Sequence, residues 1–539
     1  MTTVTIERRI RAKESPDRYA DVPTGPSDHF SLLPMFASTA TFALTGVDSR
    51  EVTVEVDVRR GLPAFTVVGL PDAGVREARE RVRAALLNSG LDFPLQRITA
   101  NLAPASLRKA GTGFDLALAV GVLVASGQVP AGQPDRTAVS GELSLGGALR
   151  PVRGALACAL GARAAGFERL VVAVENAEEA ALADGLEVLP VPSLTRLVAL
   201  LRGRWQPDRT LRRPETKAER SPAPDLADVR GQQDAKRALE IAAAGGHNLL
   251  MVGPPGAGKT MTARRLPGIL PPPSFDEALE ITRIRGAAGL GDGRLALERP
   301  FRAPHHTTSP QGLVGGGSVP RPGEITLAHR GVLFLDEIAE FSRAALEALR
   351  QPLEDGVVEI TRGQRSLSLP ARAMLVAACN PCPCAHGSGE CRCNELDRMR
   401  YARRLSGPLL DRIDLICDVQ PPPPAELVAR AVTGERSAAV RDRVVAARER
   451  QARRLAGDDA LCNGHMDGRA TRRHAVLGSR GTERLLSSVE AGTLTGRGHD
   501  RVLRLARTIA DLAGRERIVP GDVEEALGYR LVSPVEMAA

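Results

Sequence analysis

An apolar run, LLMV at 249–252, leads directly into GPPGAGKT at 253–260, and no other segment of the sequence restricts the fold so strongly. Glycines at these spacings permit backbone angles that turn successive amides toward one point, where a phosphate is stabilised. Lys259 adds a cation for the β- and γ-phosphates of a nucleotide, and Thr260 adds a hydroxyl for Mg²⁺. The pattern predicts a phosphate-binding loop made of Gly253, Pro254, Pro255, Gly256, Ala257, Gly258, Lys259 and Thr260.

Two further apolar runs end in polar residues. VLFL at 332–335 is followed by Asp336 and Glu337, and MLVAA at 374–378 is followed shortly by Asn380. Open α/β sheets bind ligands at the carboxyl ends of their strands. We therefore expect Asp336 to hold Mg²⁺ and Glu337 to orient and deprotonate the attacking water. Asn380 either positions that water or occupies a turn before a proline.

The chain of 539 residues is long enough for roughly three or four domains. Residues 202–224 are polar, charged and rich in proline, which is typical of a linker. Met1 and Met35 both remain open as starting residues. The predicted segments are a disordered extension (1–34), an α/β domain (35–201), the linker (202–224), a core with a parallel sheet (225–420) and a helical C-terminal segment (421–539).

Composition limits the location and the partners. No apolar run approaches the roughly 18–20 residues that span a bilayer, and the N-terminus lacks the apolar core of a signal peptide, so we expect a cytoplasmic protein with no membrane partner. The net charge of +8 is compatible with a polyanionic partner, and equally with a solvated surface. Aromatic residues make up 3% of the chain, which argues against base stacking as the main contact with nucleic acid.

Several longer segments resemble one family, namely the magnesium-chelatase-like AAA+ ATPases known as YifB or ComM. They are DVRGQQDAKRALEIAAAGGHNLLMVGPPGAGKT (228–260), FRAPHHTTS (301–309), PRPGEITLAHRGVLFLDEIAEF (320–341), CNPCPC (379–384) and LSGPLLDRIDL (405–415). The resemblance covers about 36–532. It implies an α/β fold with a P-loop AAA+ core, a helical lid and an N-terminal domain like that of Lon protease, of the ribosomal S5 domain 2 type.

The resemblance also implies a function. The cofactors would be ATP and Mg²⁺, and the chain would form a homo-hexameric ring. The expected activity is that of a DNA helicase acting on single-stranded or branched DNA, in recombination or natural transformation. Two alternatives stay open, a chelatase-type motor that drives metal insertion and an ATPase that remodels proteins.

Two arginines are predicted to complete the active sites of such a ring. In the family, the segment SGPLLDRIDL carries the neighbouring subunit's arginine, which falls here on Arg412, and the lid helix RGHDRVLRLAR carries a second, which falls on Arg497. Arginine suits this role because it is always charged and can neutralise developing phosphoryl charge. Arg412 could instead pair with Asp411 or Asp414, and Arg497 could be a surface charge.

The N-terminal domain resembles a Lon-type protease without its catalytic pair. Gly113 stands roughly where the serine would be, and the sequence has no lysine between Lys109 and Lys217. A Ser–Lys dyad needs a hydroxyl and an amine within hydrogen-bond reach. We therefore expect no peptidase activity, and a role in ring assembly or substrate contact instead.

A group of cysteines could hold zinc. Cys382, Cys384, Cys391 and Cys393 form C-x-C-x₆-C-x-C, with His386 as a spare ligand. The spacing is tighter than in the usual C-x₂-C knuckle. A redox-sensitive pair and unligated thiols remain as alternatives.

Two arginine-rich segments and one pair of histidines have further possible roles. The segment 357–372 predicts a hairpin with Arg362 and Arg365 near its tip, which would meet a phosphate backbone in a central pore or remain a solvated loop. His305 and His306 are predicted to form hydrogen bonds in a loop and not to bind a metal, because neighbours on a strand face opposite sides. The arginine-rich helix at 441–454 is predicted to be a solvated face of the lid.

Overall fold

The computed structural model describes residues 35–131, 136–208, 224–317, 320–362, 365–385, 391–404, 407–423, 434–492 and 494–530. The predicted disordered extension, 1–34, lies outside these residues, and so does most of the predicted linker. Among the described helices, none is both long and apolar enough to span a bilayer.

The N-terminal part of the chain is built on a seven-stranded mixed sheet in the order β3-β4-β2-β1-β5-β8-β9. Its alternating sequence VTVEVDV places a valine at every second position of β2, and all four valines lie in the core, as expected for an antiparallel strand with one covered face. The strands are β1 (Phe36–Thr45), β2 (Asp48–Arg59), β3 (Ala64–Val68), β4 (Arg97–Ala103), β5 (Thr137–Val139), β6 (Glu142–Leu143), β7 (Leu149–Arg150), β8 (Arg169–Val172) and β9 (Glu187–Pro190). The helices are α1 (Ala73–Asn88), α2 (Asp115–Ala125), α3 (Ala155–Ala164), α4 (Ala177–Ala180) and α5 (Leu194–Leu201).

The middle part of the chain contains a five-stranded parallel sheet in the order β11-β14-β17-β10-β18. Every residue of β10, β14 and β17 is buried, because helices cover both faces of the sheet. The strands are β10 (Leu249–Val252), β11 (Phe301–Arg302), β12 (Gly315–Gly316), β13 (Arg321–Pro322), β14 (Val332–Leu335), β15 (Val357–Arg362), β16 (Arg365–Pro370), β17 (Met374–Cys379) and β18 (Leu415–Asp418). The helices are α6 (Gln233–Gly245), α7 (Lys259–Ala263), α8 (Leu266–Ile269), α9 (Phe275–Ala288), α10 (Pro310–Val314), α11 (Glu324–Leu327), α12 (Arg343–Ala348), α13 (Arg350–Asp355), α14 (Glu395–Arg404) and α15 (Gly407–Leu410).

This sheet agrees with the predicted P-loop AAA+ core. The three strands expected from apolar runs are all present, and they lie side by side as β14, β17 and β10. Since parallel neighbours end at the same edge, the polar residues that follow these strands meet there. The predicted hairpin is also present, formed by β15 and β16, with Arg362 opposite Arg365 in the register.

The described part of the C-terminal region, from residue 434 onward, is helical. The helices are α16 (Ser437–Arg454), α17 (Gly468–His474), α18 (Ser479–Glu490), α19 (Gly496–Leu512) and α20 (Pro520–Gly528). The prediction that 441–454 forms a solvated face is wrong for Arg448, which donates to a carbonyl of α6, and for Arg454, which pairs with the buried Asp511 at 2.6 Å. Arg443 and Arg453 are exposed, as predicted, although Arg443 also pairs with the buried Glu240 at 2.6 Å.

The N-terminal sheet contacts the middle part of the chain at two places. Arg283 of α9 pairs with Asp48 at 2.7 Å, and α3 packs against α9. The turn between β1 and β2 inserts Val47 into the same apolar cluster as Leu369 of the β15–β16 hairpin. Gly46 adopts φ +66 in this turn, and a Cβ there would approach Leu369 to 2.8 Å. The hairpin therefore rests on the N-terminal part of the chain.

Candidate active site

The phosphate-binding loop connects the end of β10 with the start of α7. Gly256 and Gly258 adopt φ +78 and +93, the left-handed region that a side chain disfavours. Gly253 is needed for a different reason, because a Cβ there would lie 2.1 Å from the carbonyl oxygen of Val419. The loop thus lies tight against the neighbouring strand and presents its amides at the N-terminus of a helix, where anions are stabilised.

Lys259 is buried beneath the loop. Its Nζ donates to the carbonyls of Gly253 and Pro254 at 2.6 and 2.9 Å, and to Oδ1 of Asn380 at 3.2 Å. Burial lowers the pKa of the ammonium, and the negative charges of nearby groups, Asp336 among them, oppose this shift. The cation is therefore held where the phosphates of a nucleotide would sit on the loop.

Thr260 and Asp336 meet at the carboxyl edge of the sheet. The Thr260 hydroxyl donates to Oδ2 of Asp336 at 2.7 Å, which joins the loop to the end of β14. A hydroxyl and a carboxylate are hard oxygen donors of the kind that Mg²⁺ prefers, and both point to the same place. The residues present therefore fit a magnesium ion shared with nucleotide phosphates.

Glu337 follows Asp336 in a left-handed conformation, with φ +50. This conformation turns its side chain away from the line of the strand, and 59% of the side chain is exposed. An exposed carboxylate beside the magnesium ligands can reach a water molecule, as a general base must. His306 lies near it, with Nδ1 3.7 Å from Oε2 of Glu337.

Asn380 joins this group from β17. Its side chain accepts the hydrogen bond from Lys259, and its carbonyl accepts one from the hydroxyl of Tyr401 in α14 at 3.1 Å. The sequence alone did not decide whether Asn380 belongs to the site or only occupies a turn. The structure brings its amide to the lysine of the phosphate loop, which is the position from which it could orient water.

Arg412 lies at the opposite edge of the same sheet. Strands β10 and β18 run parallel, with Leu249 beside Leu415. Asn248, which precedes β10, donates from Nδ2 to the carbonyl of Arg412 at 2.8 Å. The phosphate loop follows β10, and a strand of this length spans about 13 Å. Arg412 and Lys259 are therefore separated by the length of a strand.

The partner of Arg412 differs from those considered from the sequence. Its guanidinium forms an ion pair with Glu354, and its Nε donates to the carbonyl of Arg350 at 3.0 Å. Arg497 is the residue that approaches Asp411, at 3.7 Å, with 69% of its side chain exposed. Both predicted arginines thus lie near the amino edge of the sheet, away from the phosphate loop of their own chain.

Two contacts near the site were missed from the sequence. His305 hydrogen-bonds Thr307 at 2.9 Å, as predicted for a loop residue, but His306 faces Glu337. Tyr401 holds the backbone of Asn380. A histidine pair in a polar loop was the only signal for the first contact, and nothing local in the sequence identifies the second.

The remaining candidate residues lie elsewhere. The sulfurs of Cys382, Cys384, Cys391 and Cys393 all lie within 4.8 Å of one another, while His386 lies outside the described residues. In the N-terminal part, Lys109 is buried and donates to the carbonyl of Pro104, and a Cβ at Gly113 would lie 3.9 Å from the Ser140 hydroxyl.

Comparison with known proteins accounts for most of the chain. Residues 225–427 match the family model described as magnesium chelatase, subunit ChlI, residues 54–176 match subunit ChlI of Mg-chelatase, and residues 434–530 match the C-terminal part of that subunit. The chain is 45% identical to protein YifB of Salmonella typhimurium over 91% of its length and 96% of the relative. It is 43% identical to competence protein ComM of Haemophilus influenzae, over 90% of its length and 96% of the relative.

The chain belongs to the YifB/ComM family of magnesium-chelatase-like proteins. Membership in this family suggests an NTPase that uses ATP and Mg²⁺, in agreement with the loop and the Thr260–Asp336 pair. A more distant match is Lon protease 2 of Bacillus subtilis, 31% identical over 24% of this chain and 25% of the relative. The similarity of this YifB/ComM member to Lon is therefore partial.

Proposed function

We propose that this chain is an ATP-hydrolysing motor that works as a homo-hexameric ring on single-stranded or branched DNA. The observation that supports it best is the separation of the predicted site residues between two edges of one sheet. Lys259, Thr260, Asp336 and Asn380 lie together at the carboxyl edge, and Arg412 lies near the amino edge. Closed rings with head-to-tail contacts bring opposite faces of successive subunits together.

In such a ring, Arg412 and Arg497 would serve the site of the neighbouring subunit. Arg497 is largely exposed and approaches Asp411, the residue before Arg412, so the two arginines lie in the same region of the chain. A guanidinium brought to the γ-phosphate stabilises the charge that develops during phosphoryl transfer. Glu337 would take the proton of the attacking water, with Mg²⁺ held by Thr260 and Asp336 neutralising the phosphates.

DNA is the substrate that the chain supports best. The net charge is +8, and the β15–β16 hairpin carries Arg362 and Arg365 as its last paired residues. Cations at a hairpin tip suit a phosphate backbone, whose contacts are independent of sequence. One relative is called a competence protein, which agrees with a role involving DNA.

The test is the ATPase rate measured with single-stranded, duplex and four-way DNA at two salt concentrations. We expect DNA, above all single-stranded or four-way, to stimulate hydrolysis, and we expect the stimulation to weaken in higher salt. The double substitution Arg362→Ala/Arg365→Ala should reduce the stimulation and leave the basal rate unchanged. Arg453→Ala, at an exposed arginine of α16, is the matched control.

A second candidate is an ATPase that remodels proteins. The partial match to Lon protease 2 favours it, although Gly113 offers no nucleophile. An ATPase rate that ignores all three DNA forms and rises with an unfolded protein would select this function. A chelatase-type motor, which the family description also names, would respond to neither and would require a metal-inserting partner.

A further inference from the structure

Four cysteine sulfurs converge just beyond the active site. The Sγ of Cys382 lies 3.3 Å from that of Cys384 and 3.6 Å from that of Cys391, and Cys384 lies 3.8 Å from Cys391. With Cys393 included, all four sulfurs lie within 4.8 Å of one another. Two of these residues precede the segment 386–390 and two follow it, so the cluster joins separate parts of the backbone.

These distances match a single tetrahedral metal ion. A Zn²⁺ ion binds thiolate sulfur at about 2.3 Å, which places tetrahedral sulfurs about 3.8 Å apart. An iron–sulfur cluster contains several metal atoms and would hold its cysteine sulfurs farther apart. Thiolate ligands and tetrahedral geometry favour zinc over the hard cations.

The backbone conformation explains how two cysteines separated by one residue can both bind the same metal ion. The Ala385 amide donates to the carbonyl of Cys382 at 3.0 Å, and Ala385 adopts φ +67. This turn brings Cys382 and Cys384 to the same side. Four other cysteines are buried, and among the described residues they belong to no such group; they are Cys158, Cys379, Cys417 and Cys462.

We propose that the four cysteines bind one structural Zn²⁺ ion and that this ion fixes the segment after Asn380. Cys382 follows Asn380 by two residues, and Cys393 immediately precedes the region of α14. Tyr401 of α14 donates to the carbonyl of Asn380 at 3.1 Å, and Arg404 pairs with Glu340 at 3.1 Å. A metal at the cluster would therefore hold α14 against the site.

Metal content tests the proposal without any assay of ATP or DNA. Protein purified with reductant and without chelator should contain about one zinc per chain. The double substitution Cys391→Ser/Cys393→Ser should lower this to less than about a tenth, because two ligands cannot hold the ion. Cys417→Ala, at a buried cysteine of β18 in the same sheet, should retain the zinc. Circular dichroism checks that each variant is folded.

A measurement on the unmodified protein covers the case in which the double variant does not fold. Replacement of the ion with Co²⁺ should give visible bands of tetrahedral cobalt and a near-ultraviolet thiolate charge-transfer band. Zinc-free, cobalt-unreactive protein overturns the proposal, and so does a folded double variant that retains its zinc. A brown protein containing iron would overturn the choice of a single zinc ion. None of these results depends on whether DNA is the motor's substrate.

Discussion

The two edges of the five-stranded sheet hold different kinds of residue. At the carboxyl edge, Lys259 donates to the amide oxygen of Asn380, and the Thr260 hydroxyl donates to the Asp336 carboxylate. Near the amino edge, Arg412 pairs with Glu354 and the exposed Arg497 approaches Asp411. The strand between the two edges is about 13 Å long. The first edge has the parts that bind a nucleotide, and the second has cations whose partners here are acidic side chains.

The difference suggests that one chain holds two halves of a site which it cannot join by itself. A cation that acts on a phosphoryl group must approach it closely, and a rigid buried sheet prevents Arg412 from reaching the phosphate loop of its own chain. Assembly of several copies would bring the two edges together. The comparison can therefore be tested by damaging one edge at a time.

The largest effect is expected at the amino edge. Arg412→Ala should lower the ATPase kcat by about 10³–10⁵, the range known for arginine fingers. Binding of ATP should persist because Lys259, Thr260 and Asp336 are intact. Steady-state ATPase assays and nucleotide titration measure the two properties, and sedimentation checks assembly. A variant with normal kcat would show that Arg412 serves only its pair with Glu354.

Mixing of two inactive variants sharpens this test. In mixed rings of Arg412→Ala and Lys259→Ala chains, some sites pair an intact loop with an intact neighbouring arginine, so activity should return. The matched control mixes Lys259→Ala with Glu337→Gln. Both of those changes damage the carboxyl edge, and every mixed site keeps one of the defects. The measurement is the ATPase rate at different ratios of the two variants. If the first mixture forms mixed rings but stays inactive at every ratio, the shared site is contradicted, and Arg403 and Arg404 become the next candidates.

The next effect concerns proton transfer at the carboxyl edge. Glu337→Gln should lower kcat by about 10²–10⁴ and leave ATP bound, because an amide cannot accept the proton of water. Glu340→Gln, three residues further along the same turn, removes a carboxylate paired with Arg404 and should retain most of the activity. If the two variants hydrolyse ATP equally fast, Glu337 is not the base.

A somewhat smaller effect is expected from the phosphate cation. Lys259→Ala should reduce turnover by about 10²–10³, since it removes one preorganised donor from the phosphates. Affinity for ATP should fall as well, which separates this variant from Arg412→Ala. Arg264→Ala removes an exposed cation at the end of α7 and is the control. Unchanged affinity and rate in the Lys259 variant would refute the loop as the nucleotide site.

The carboxyl edge was predictable because its signals are local. The phosphate-binding loop lies within eight residues. Parallel strands that end in polar residues bring Asp336 and Asn380 to the same edge of the sheet, and this does not depend on the conformation of the connecting loops. The prediction that 441–454 is solvated failed for Arg448 and Arg454 because α16 packs against α6 and α19, a contact between distant parts of the chain. Helical patterns identify apolar faces but not arginines that pair with buried carboxylates.

The amino edge was harder to predict for the same reason. The partner of Arg412 is Glu354, 58 residues away, and the sequence offered two nearer aspartates instead. The convergence of four cysteines depends on a turn at Ala385 that a C-x-C spacing does not reveal. The sequence identified both Arg412 and the four cysteines as candidates, but contacts between distant parts of the chain determine which groups they contact.

The smallest effect concerns the carboxylate that holds the amino edge together. Asp414 accepts from the Asn248 amide at 3.1 Å and lies 3.4 Å from Arg501 of α19. Burial acts to raise the pKa of Asp414, but the nearby His247, whose Nδ1 lies 3.6 Å from the carboxylate, and the charges of Arg504 and Arg501 lower it to about 2. The ionised form is therefore favoured in the folded protein.

The sign of the resulting pH dependence follows from this shift. An unfolded aspartate has a pKa of about 3.9, so Asp414 stabilises the fold above about pH 4, and the contribution is lost as the pH falls toward about 2. Asp414→Asn should lower the free energy of unfolding by about 2 kcal/mol near neutral pH and lower the Tm. The difference in Tm from the wild type should narrow as the pH falls through this window.

Asp411→Asn is the control for this last comparison, because Asp411 is nearly half exposed and its approach to Arg497 is a surface pair of little energetic value. If Asp414→Asn and Asp411→Asn lower the free energy of unfolding equally, the contacts of Asp414 with Asn248 and Arg501 do not stabilise the amino edge. If Asp414→Asn also lowers kcat while ATP affinity is kept, the displaced backbone of Arg412 is the cause, since Asn248 contacts both residues. That result would connect the stability of the amino edge with its role in the neighbouring site.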